Sequence, residues 1–116
     1  MAVTRIQRIT QKPLSMYSDG TYCYIGTNLG RILRVTITGG ATVVFAIIRG
    51  AKITALCSDG TYLYAGDDRG RLTRITIADG TKSTLEGDLH SAIISISHNT
   101  ATRYLGLQNG LIYSRA

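Results

Sequence analysis

Short apolar segments alternate with clusters of turn residues along the whole chain. In the middle of the sequence, period-2 apolar spacing and enrichment in Tyr, Ile, Leu and Thr are interrupted by Asp-Gly and Arg-Gly turns, a pattern typical of short antiparallel strands. The predicted strands there are 53–57, 62–66, 71–77 and 81–85. The turns between them, such as the one around Asp59 and Gly60, suit tight hairpins because glycine adopts a positive φ at little cost. The pattern predicts four strands in about 40 residues.

The same pattern recurs with a period of 40 residues. The run from Ser18 to Tyr22 returns at Ser58 to Tyr62, and residues 13–40 share 13 identities in 28 positions with residues 53–80. Gly26, Gly66 and Gly106 mark the same place in each copy. We therefore predict one all-β domain, 1–116, made of three repeats: 1–40, 41–80 and 81–116.

The run from Asp59 to Leu72 resembles the blade core of the pyrroloquinoline-quinone-type and sensor-type β-propellers. The resemblance implies three four-stranded propeller blades per chain. The quinoprotein blades usually carry a docking tryptophan, and this chain has none. Their cofactor-binding residues have no counterparts here either, so the resemblance implies a fold and neither a cofactor nor a catalytic residue.

The two ends of the sequence complement each other. The first ten residues align with the fourth strand of the other copies, with Val3 at the position of Val43, whereas Leu111 to Ala116 read as a third strand. Propellers have typically 4 to 8 blades, and many close by exchanging a terminal strand. We expect a six-bladed homodimer in which each chain donates its N-terminal strand to the last blade of the other, with larger rings as the alternative.

The chain is basic, with 13 Lys and Arg against 7 Asp and Glu, a net charge of +6 and a pI near 9.7. This excess favours anionic partners, although solubility alone can account for it. Propeller topology places the turns on two faces. One face should carry Asp19, Asp59, Asp79 and His98. The other should carry seven basic residues, namely Arg8, Lys12, Arg31, Arg49, Lys52, Arg69 and Arg71, against Asp67, Asp68 and Asp88.

Lys12 and Lys52 are repeat-equivalent and precede the innermost strands, so a dimer would place four ammonium groups around one mouth of the channel. Ammonium and guanidinium groups suit a phosphate-bearing ligand such as a nucleotide or nucleic acid. The alternative is that the seven residues are solvated rim charges, some of them paired with the three acids.

Other residues favour structural roles. The Tyr22/Tyr24 and Tyr62/Tyr64 pairs are expected to pack between blades, and Arg34 and Arg74 to form interblade hydrogen bonds or ion pairs. Cys23 and Cys57 fall at different repeat positions and are expected to be reduced thiols.

No enzymatic chemistry is predicted. His90 and His98 belong to opposite faces, and the Asp67-Asp68 pair occurs once, which argues against a calcium loop in every blade. We expect a non-enzymatic binding ring without a metal or cofactor. A scaffold ring that docks other proteins, a form that viral genomes favour, is the alternative. A lectin ranks lower because tryptophan is absent.

No long apolar run or signal-peptide pattern is present in the sequence. We therefore expect a soluble protein of a cytoplasm or a virion, with no membrane partner.

Overall fold

The computed structural model describes residues 5–99 and 101–115, which form antiparallel strands. The strands are β1 (Pro13–Ser18), β2 (Tyr22–Thr27), β3 (Arg31–Thr36), β4 (Thr42–Ile47), β5 (Ile53–Ser58), β6 (Tyr62–Asp67), β7 (Leu72–Thr76), β8 (Lys82–Glu86), β9 (Ile93–Asn99), β10 (Thr102–Leu107) and β11 (Ile112–Arg115). The strands predicted for residues 53–85 coincide with β5 to β8 to within a residue. No described helix is long and apolar enough to cross a membrane.

The strands form three sheets in which each strand pairs with the next along the chain. Blade 1 contains β1 to β4 and blade 2 contains β5 to β8. Blade 3 contains β9 to β11, so within the described residues it has three strands where the others have four. The prediction of an all-β chain with repeated sheets is confirmed.

The Asp-Gly turns explain where the first strand of a blade ends and the second begins. Gly20 and Gly60 have φ values of 93° and 95°, which an L side chain rarely adopts. One carboxylate oxygen of Asp19 accepts the backbone N–H groups of Thr21 and Tyr22, at 2.9 and 2.8 Å. Asp59 makes the equivalent bonds in blade 2, so the sequence repeat is also a repeat of turn geometry.

The blades pack closely because a glycine faces a branched side chain of the next blade. A Cβ on Gly26 would lie 2.5 Å from Ile53, and a Cβ on Gly66 would lie 2.6 Å from Ile93. Apolar side chains fill each boundary. The core between blades 1 and 2 includes Tyr24, Ile32, Ile53, Leu63 and Ile75, and the core between blades 2 and 3 includes Tyr64, Leu72, Ile93, Leu105 and Leu107. Burying a side chain of this size contributes about 1.5–3 kcal/mol.

The segment before β1 packs on the face of blade 1 that is opposite its boundary with blade 2. Residues 5–12 contain no strand, and Ile9 packs on the buried Ile25, Leu33 and Val35. The side-chain amide of Gln7 donates a hydrogen bond of 2.8 Å to the carbonyl oxygen of Gly40. The first four residues of the predicted N-terminal strand lie outside the described residues.

Candidate anion-binding face

Hydrogen bonds between loops define two faces of the molecule. The turn between the second and third strands of a blade bonds to the connection that enters that blade, as from Asn28 N to Lys12 O and from Asp68 N to Lys52 O, both 3.1 Å. The turn between the first and second strands also bonds to the turn between the third and fourth strands, as from Ile77 N to Thr61 O at 3.0 Å. The predicted sorting of turns is therefore confirmed. We call the side of the interblade connections the basic face and the opposite side the Asp-Gly face.

Lys12 and Lys52 occupy the same position on the basic face. Each lies directly before the innermost strand of its blade, and each is exposed. The backbone N–H of Lys12 donates to the side-chain oxygen of Asn28 at 3.1 Å, and that of Lys52 donates to Asp68 at 2.9 Å. These bonds fix the backbone and leave both ammonium groups on flexible stems at the surface.

One predicted basic residue is paired with an acid, as the alternative interpretation expected. Asp67 is 1% exposed, and its Oδ2 accepts the Nε–H of Arg71 at 3.0 Å. Its Oδ1 accepts the backbone N–H groups of Arg69 and Arg71, at 2.9 and 3.0 Å. In blade 1 the hydroxyl of Thr27 occupies this place and accepts the N–H of Arg31 at 3.2 Å. Arg71 is therefore held rigidly at the start of β7.

A cleft of about 310 Å³ opens between blades 1 and 2, and we call it the interblade cleft. It is lined by Ile47, Ile48, Arg49, Arg71, Thr73, Lys82 and Thr84. The Nη2 group of Arg71 donates to the carbonyl oxygen of Arg49 at 3.5 Å, and the Lys82 ammonium donates to that of Ile47. Two of the seven predicted residues thus share a cavity, together with Lys82, a cation that the sequence interpretation missed.

The other predicted residues lie elsewhere on the molecule. The guanidinium of Arg69 lies over Gly50, 3.6 Å from where a Cβ would stand, and is thus next to Arg49. Lys52 lines a shallower depression of about 230 Å³ with Asn28, Leu29, Gly50, Ala51 and Asp68. Arg8, Lys12 and Arg31 are exposed and line neither cavity.

The Asp-Gly face carries a cluster of different chemistry at the boundary of blades 2 and 3. Sγ of Cys57 lies 3.7 Å from Nδ1 of His98, and the Tyr64 hydroxyl donates to Asp59 at 3.0 Å. Burial raises the pKa of the Cys57 thiol, which keeps it protonated at neutral pH. Burial also raises the pKa of the Asp59 carboxyl, but hydrogen bonds from Tyr62, Thr61 and Tyr64 outweigh it and bring that pKa below its ordinary value.

The buried tyrosines pack between blades, whereas the mid-strand arginines pack on tyrosine rings within a blade. Tyr24 and Tyr64 are buried between blades, as predicted. Within residues 5–99 and 101–115, Arg34 and Arg74 do not make the expected interblade hydrogen bonds or ion pairs but lie over aromatic rings of their own blades. The guanidinium carbon of Arg34 is 4.6 Å from the ring centre of Tyr22, and that of Arg74 is 4.4 Å from Tyr62. In an antiparallel pair, such diagonal neighbours on one face are within reach of a long side chain.

Among residues 5–99 and 101–115, no three His, Cys, Asp or Glu side chains come close enough together to hold a metal ion.

Comparison with known proteins shows the fold and no closer relationship. No protein-family model matches the chain, and no curated protein does. Solved structures match well. The computationally designed Ika8 protein matches with a TM-score of 0.71 and 16% identity over 85% of this chain and 31% of its own. The designed Ika4 protein matches with a TM-score of 0.61 and 11% identity over 99% of this chain and 98% of its own.

A natural protein also matches the chain. The extracellular domain of BT4673 from B. thetaiotaomicron, described as part of a hybrid two component system, has a TM-score of 0.73 and 21% identity. The match covers 98% of this chain and 16% of that one. The chain thus spans about a third of Ika8 and about a sixth of BT4673. These matches, together with the three repeated sheets, show that the chain is built of β-propeller blade repeats.

Proposed function

We propose that this chain is half of a self-assembling, non-enzymatic β-propeller ring whose basic face binds a phosphate-bearing ligand such as a nucleotide or nucleic acid. The ligand proposal rests on the basic face. The seven predicted cations lie in or beside the interblade connections and the turns between second and third strands, and hydrogen bonds hold these loops together on one side of the molecule. Asp67 neutralises one of these cations and Asp68 lies beside Lys52, which leaves a net positive surface.

Unequal burial of repeat-equivalent residues supports the ring. Tyr24 and Tyr64 are 1% and 2% exposed, but Tyr104 at the same position is 43% exposed. Ile32 and Leu72 are fully buried, whereas Ile112 is 80% exposed. Tyr104, Gly106 and Ile112 point to one side of blade 3 and form what we call its free face. An apolar surface that is buried at two of three equivalent boundaries favours a further blade at the third.

Blade 1 offers the complementary surface. Pro13, Met16, Cys23, Ile25 and Val35 line an apolar cavity of about 230 Å³, which Ile6, Gln7 and Ile9 complete. Pro13 is the repeat equivalent of Ile53 and Ile93, the residues that contact Gly26 and Gly66. Among the residues that the structure describes, a Cβ on Gly106 would meet the Ser95 hydroxyl and nothing from a neighbouring blade. A second copy that places Pro13 over Gly106 would repeat the existing boundary, and two copies would give six blades, within the usual range.

The unpaired edge of blade 3 supports strand exchange within that ring. β11 is the outer strand of a three-stranded sheet, and its residues 112–114 are exposed. An exposed strand edge with apolar side chains is a template for another strand. In the proposed dimer, the N-terminal segment of the partner pairs with this edge and completes the blade.

Binding to two anionic probes tests the ligand proposal. A fluorescein-labelled single-stranded oligonucleotide and a fluorescent nucleotide would be titrated at 50 and 200 mM salt, with anisotropy as the readout. Removing positive charge with K12Q/K52Q should weaken oligonucleotide binding at least about tenfold and flatten its salt dependence, because neutralised phosphates release counterions. The matched control T21E/T61E makes the same change in net charge on the Asp-Gly face and should stay within about twofold of the wild type.

Equal losses in the two variants would mean that net charge acts without a site, and this result would contradict a binding face. Absence of binding to either probe by an intact ring would contradict ligand binding and favour the protein-docking scaffold.

A further inference from the structure

The interblade cleft breaks the sequence repeat at most of the positions that line it. Thr73 and Thr84 stand where blade 1 has Leu33 and Val44, and Lys82 stands where blade 1 has Thr42. Arg49 stands where the other connections have Ile9 and Leu89. At this blade boundary the chain therefore replaces apolar repeat residues with Arg49, Thr73 and Thr84, and a threonine with Lys82.

Two of the three cations in the cleft are positioned by bonds to the protein. The guanidinium of Arg71 is held by Asp67 and by the carbonyl oxygen of Arg49, and these bonds engage two of its five N–H donors. The ammonium of Lys82 is held by the carbonyl oxygen of Ile47, which engages one of its three donors. Donors remain on both groups, and the Thr73 and Thr84 hydroxyls line the same cavity.

The charge of the cleft matches one kind of phosphate group. Arg49, Arg71 and Lys82 carry three positive charges, and Asp67, which contacts Arg71, carries one negative charge, so these four groups have a net charge of +2, to which Arg69 next to Arg49 adds positive potential. A phosphate monoester carries about −1.5 to −2 at pH 7, whereas each phosphodiester of a nucleic-acid backbone carries −1. Guanidinium forks and ammonium groups bind such oxygens by charge-assisted hydrogen bonds. A volume of about 310 Å³ is at the small end of ligand pockets.

We propose that the interblade cleft binds the terminal phosphate of a phosphate monoester, with one site per chain. Arg71 and Lys82 hold the oxygens from fixed positions, Arg49 closes over them, and the two threonine hydroxyls donate the remaining bonds. This proposal deepens the proposed function, because it gives the ligand class and the position of a site on the basic face. The cleft lies within one chain, so binding does not require the ring.

Calorimetric titration with a nucleoside monophosphate, its nucleoside and inorganic phosphate tests the proposal. A 5′-phosphorylated oligonucleotide and its 5′-hydroxyl form then distinguish a nucleic-acid end from a small molecule as the source of the phosphate. The triple variant T73L/K82T/T84V gives the cleft the residues that blade 1 carries at these positions. The single variant R49Q changes an exposed side chain and tests the site with little risk to folding.

Both cleft variants should lower the affinity for the monophosphate at least about tenfold, since each loses a charge-assisted contact. T21E/T61E should bind the monophosphate within about twofold of the wild type, because its added charges lie on the Asp-Gly face. The nucleoside should not bind. Of the two oligonucleotides, a preference for the 5′-phosphorylated form identifies a nucleic-acid end as a ligand, and equal affinity leaves the small molecule as the source.

Wild-type affinity in R49Q and in a folded triple variant would overturn the proposal. If oligonucleotide binding is then still lost in K12Q/K52Q, the basic face binds anions without this site, and the proposed function survives alone. If the wild-type protein binds none of the probes, both proposals are wrong.

Discussion

At the scale of single residues, two of three repeat-equivalent glycines, Gly26 and Gly66, face an isoleucine of the next blade, whereas Gly106 faces a serine of its own blade. A Cβ at Gly66 would lie 2.6 Å from Ile93, so G66A should destabilise the fold by about 1–3 kcal/mol through overpacking. A Cβ at Gly106 would meet the Ser95 hydroxyl, which can rotate away, so G106A should leave the fold of the chain intact. In the proposed ring the same Cβ would meet Pro13 of the partner, and G106A should raise the dimer dissociation constant at least about tenfold.

Chemical denaturation measures the first effect, and sedimentation equilibrium measures the second. A G106A chain that dimerises like the wild type would contradict the packing of blade 1 on the free face of blade 3.

Two turn carboxylates make stability depend on pH. The pKa of Asp19 is lowered by hydrogen bonds from the N–H groups of Tyr22 and Thr21, and the pKa of Asp59 is lowered by its hydrogen bonds in spite of burial. A group whose pKa is lower in the folded state stabilises the fold above its unfolded pKa, and the contribution is lost as the pH falls through the folded pKa. Unfolding free energy should therefore fall below about pH 4.

D19N/D59N keeps the oxygens that accept the backbone N–H groups, loses the acceptor of the Tyr64 hydroxyl and removes the titration, so its unfolding free energy should change less between about pH 4 and about pH 2. Urea unfolding at several pH values measures both curves. Parallel curves for the variant and the wild type would show that these carboxylates do not cause the dependence.

At the scale of elements, the turn between β6 and β7 shows two chemical solutions to one geometry. Asp67 accepts two backbone N–H groups in blade 2, and the Thr27 hydroxyl accepts the equivalent groups in blade 1. D67A leaves buried donors unsatisfied and should cost about 1–3 kcal/mol, whereas D67T should cost less because blade 1 already uses it. Thermal unfolding compares the two variants. Equal losses would mean that the ion pair with Arg71, not the turn bonds, carries the stability.

The elements also show what could be predicted from the sequence. Asp-Gly turns such as that at Asp59 leave little choice in where a strand ends, so β5 to β8 were predictable to within a residue. Sorting turns between two faces also succeeded, because propeller topology alone determines it. Lys82 was missed because it lies at the start of a fourth strand, and its neighbours across the blade boundary are about 35 residues away in sequence. The sequence did contain a signal for the cleft, because Thr73 and Thr84 replace the apolar Leu33 and Val44 at the same repeat positions.

The partners of Arg34 and Arg74 were predicted wrongly for a related reason. Repeat equivalence showed that the two arginines share a role. It did not show whether their partners lie in a neighbouring blade or are aromatic side chains of the same sheet. Their contacts with Tyr22 and Tyr62 depend on the register of β2 with β3 and of β6 with β7.

At the scale of the whole molecule, the proposed ring would strengthen the proposed binding face. The free face of blade 3 and the facing surface of blade 1 are apolar. Packing them together would bury side chains whose repeat equivalents are buried at the other two boundaries. In a dimer every basic residue occurs twice around one axis, so the positive potential of the basic face is reinforced.

Changing the exposed Ile112 should weaken the ring without changing the blades. I112K places a charge on the free face of blade 3, and its burial in a dimer boundary would cost several kcal/mol. The matched control L29K adds the same charge at an exposed apolar residue on the basic face. We expect I112K to be largely monomeric and L29K to remain dimeric in sedimentation experiments. Dimers in both variants would mean that this face is not the contact.

The molar mass of the wild-type protein, measured by light scattering coupled to size exclusion at low and high salt, distinguishes the six-bladed dimer from a monomer. We expect twice the 12.5 kDa mass of the chain at both salt concentrations, because the proposed boundary is mainly apolar. A stable monomer of 12.5 kDa at micromolar concentration would contradict the six-bladed ring.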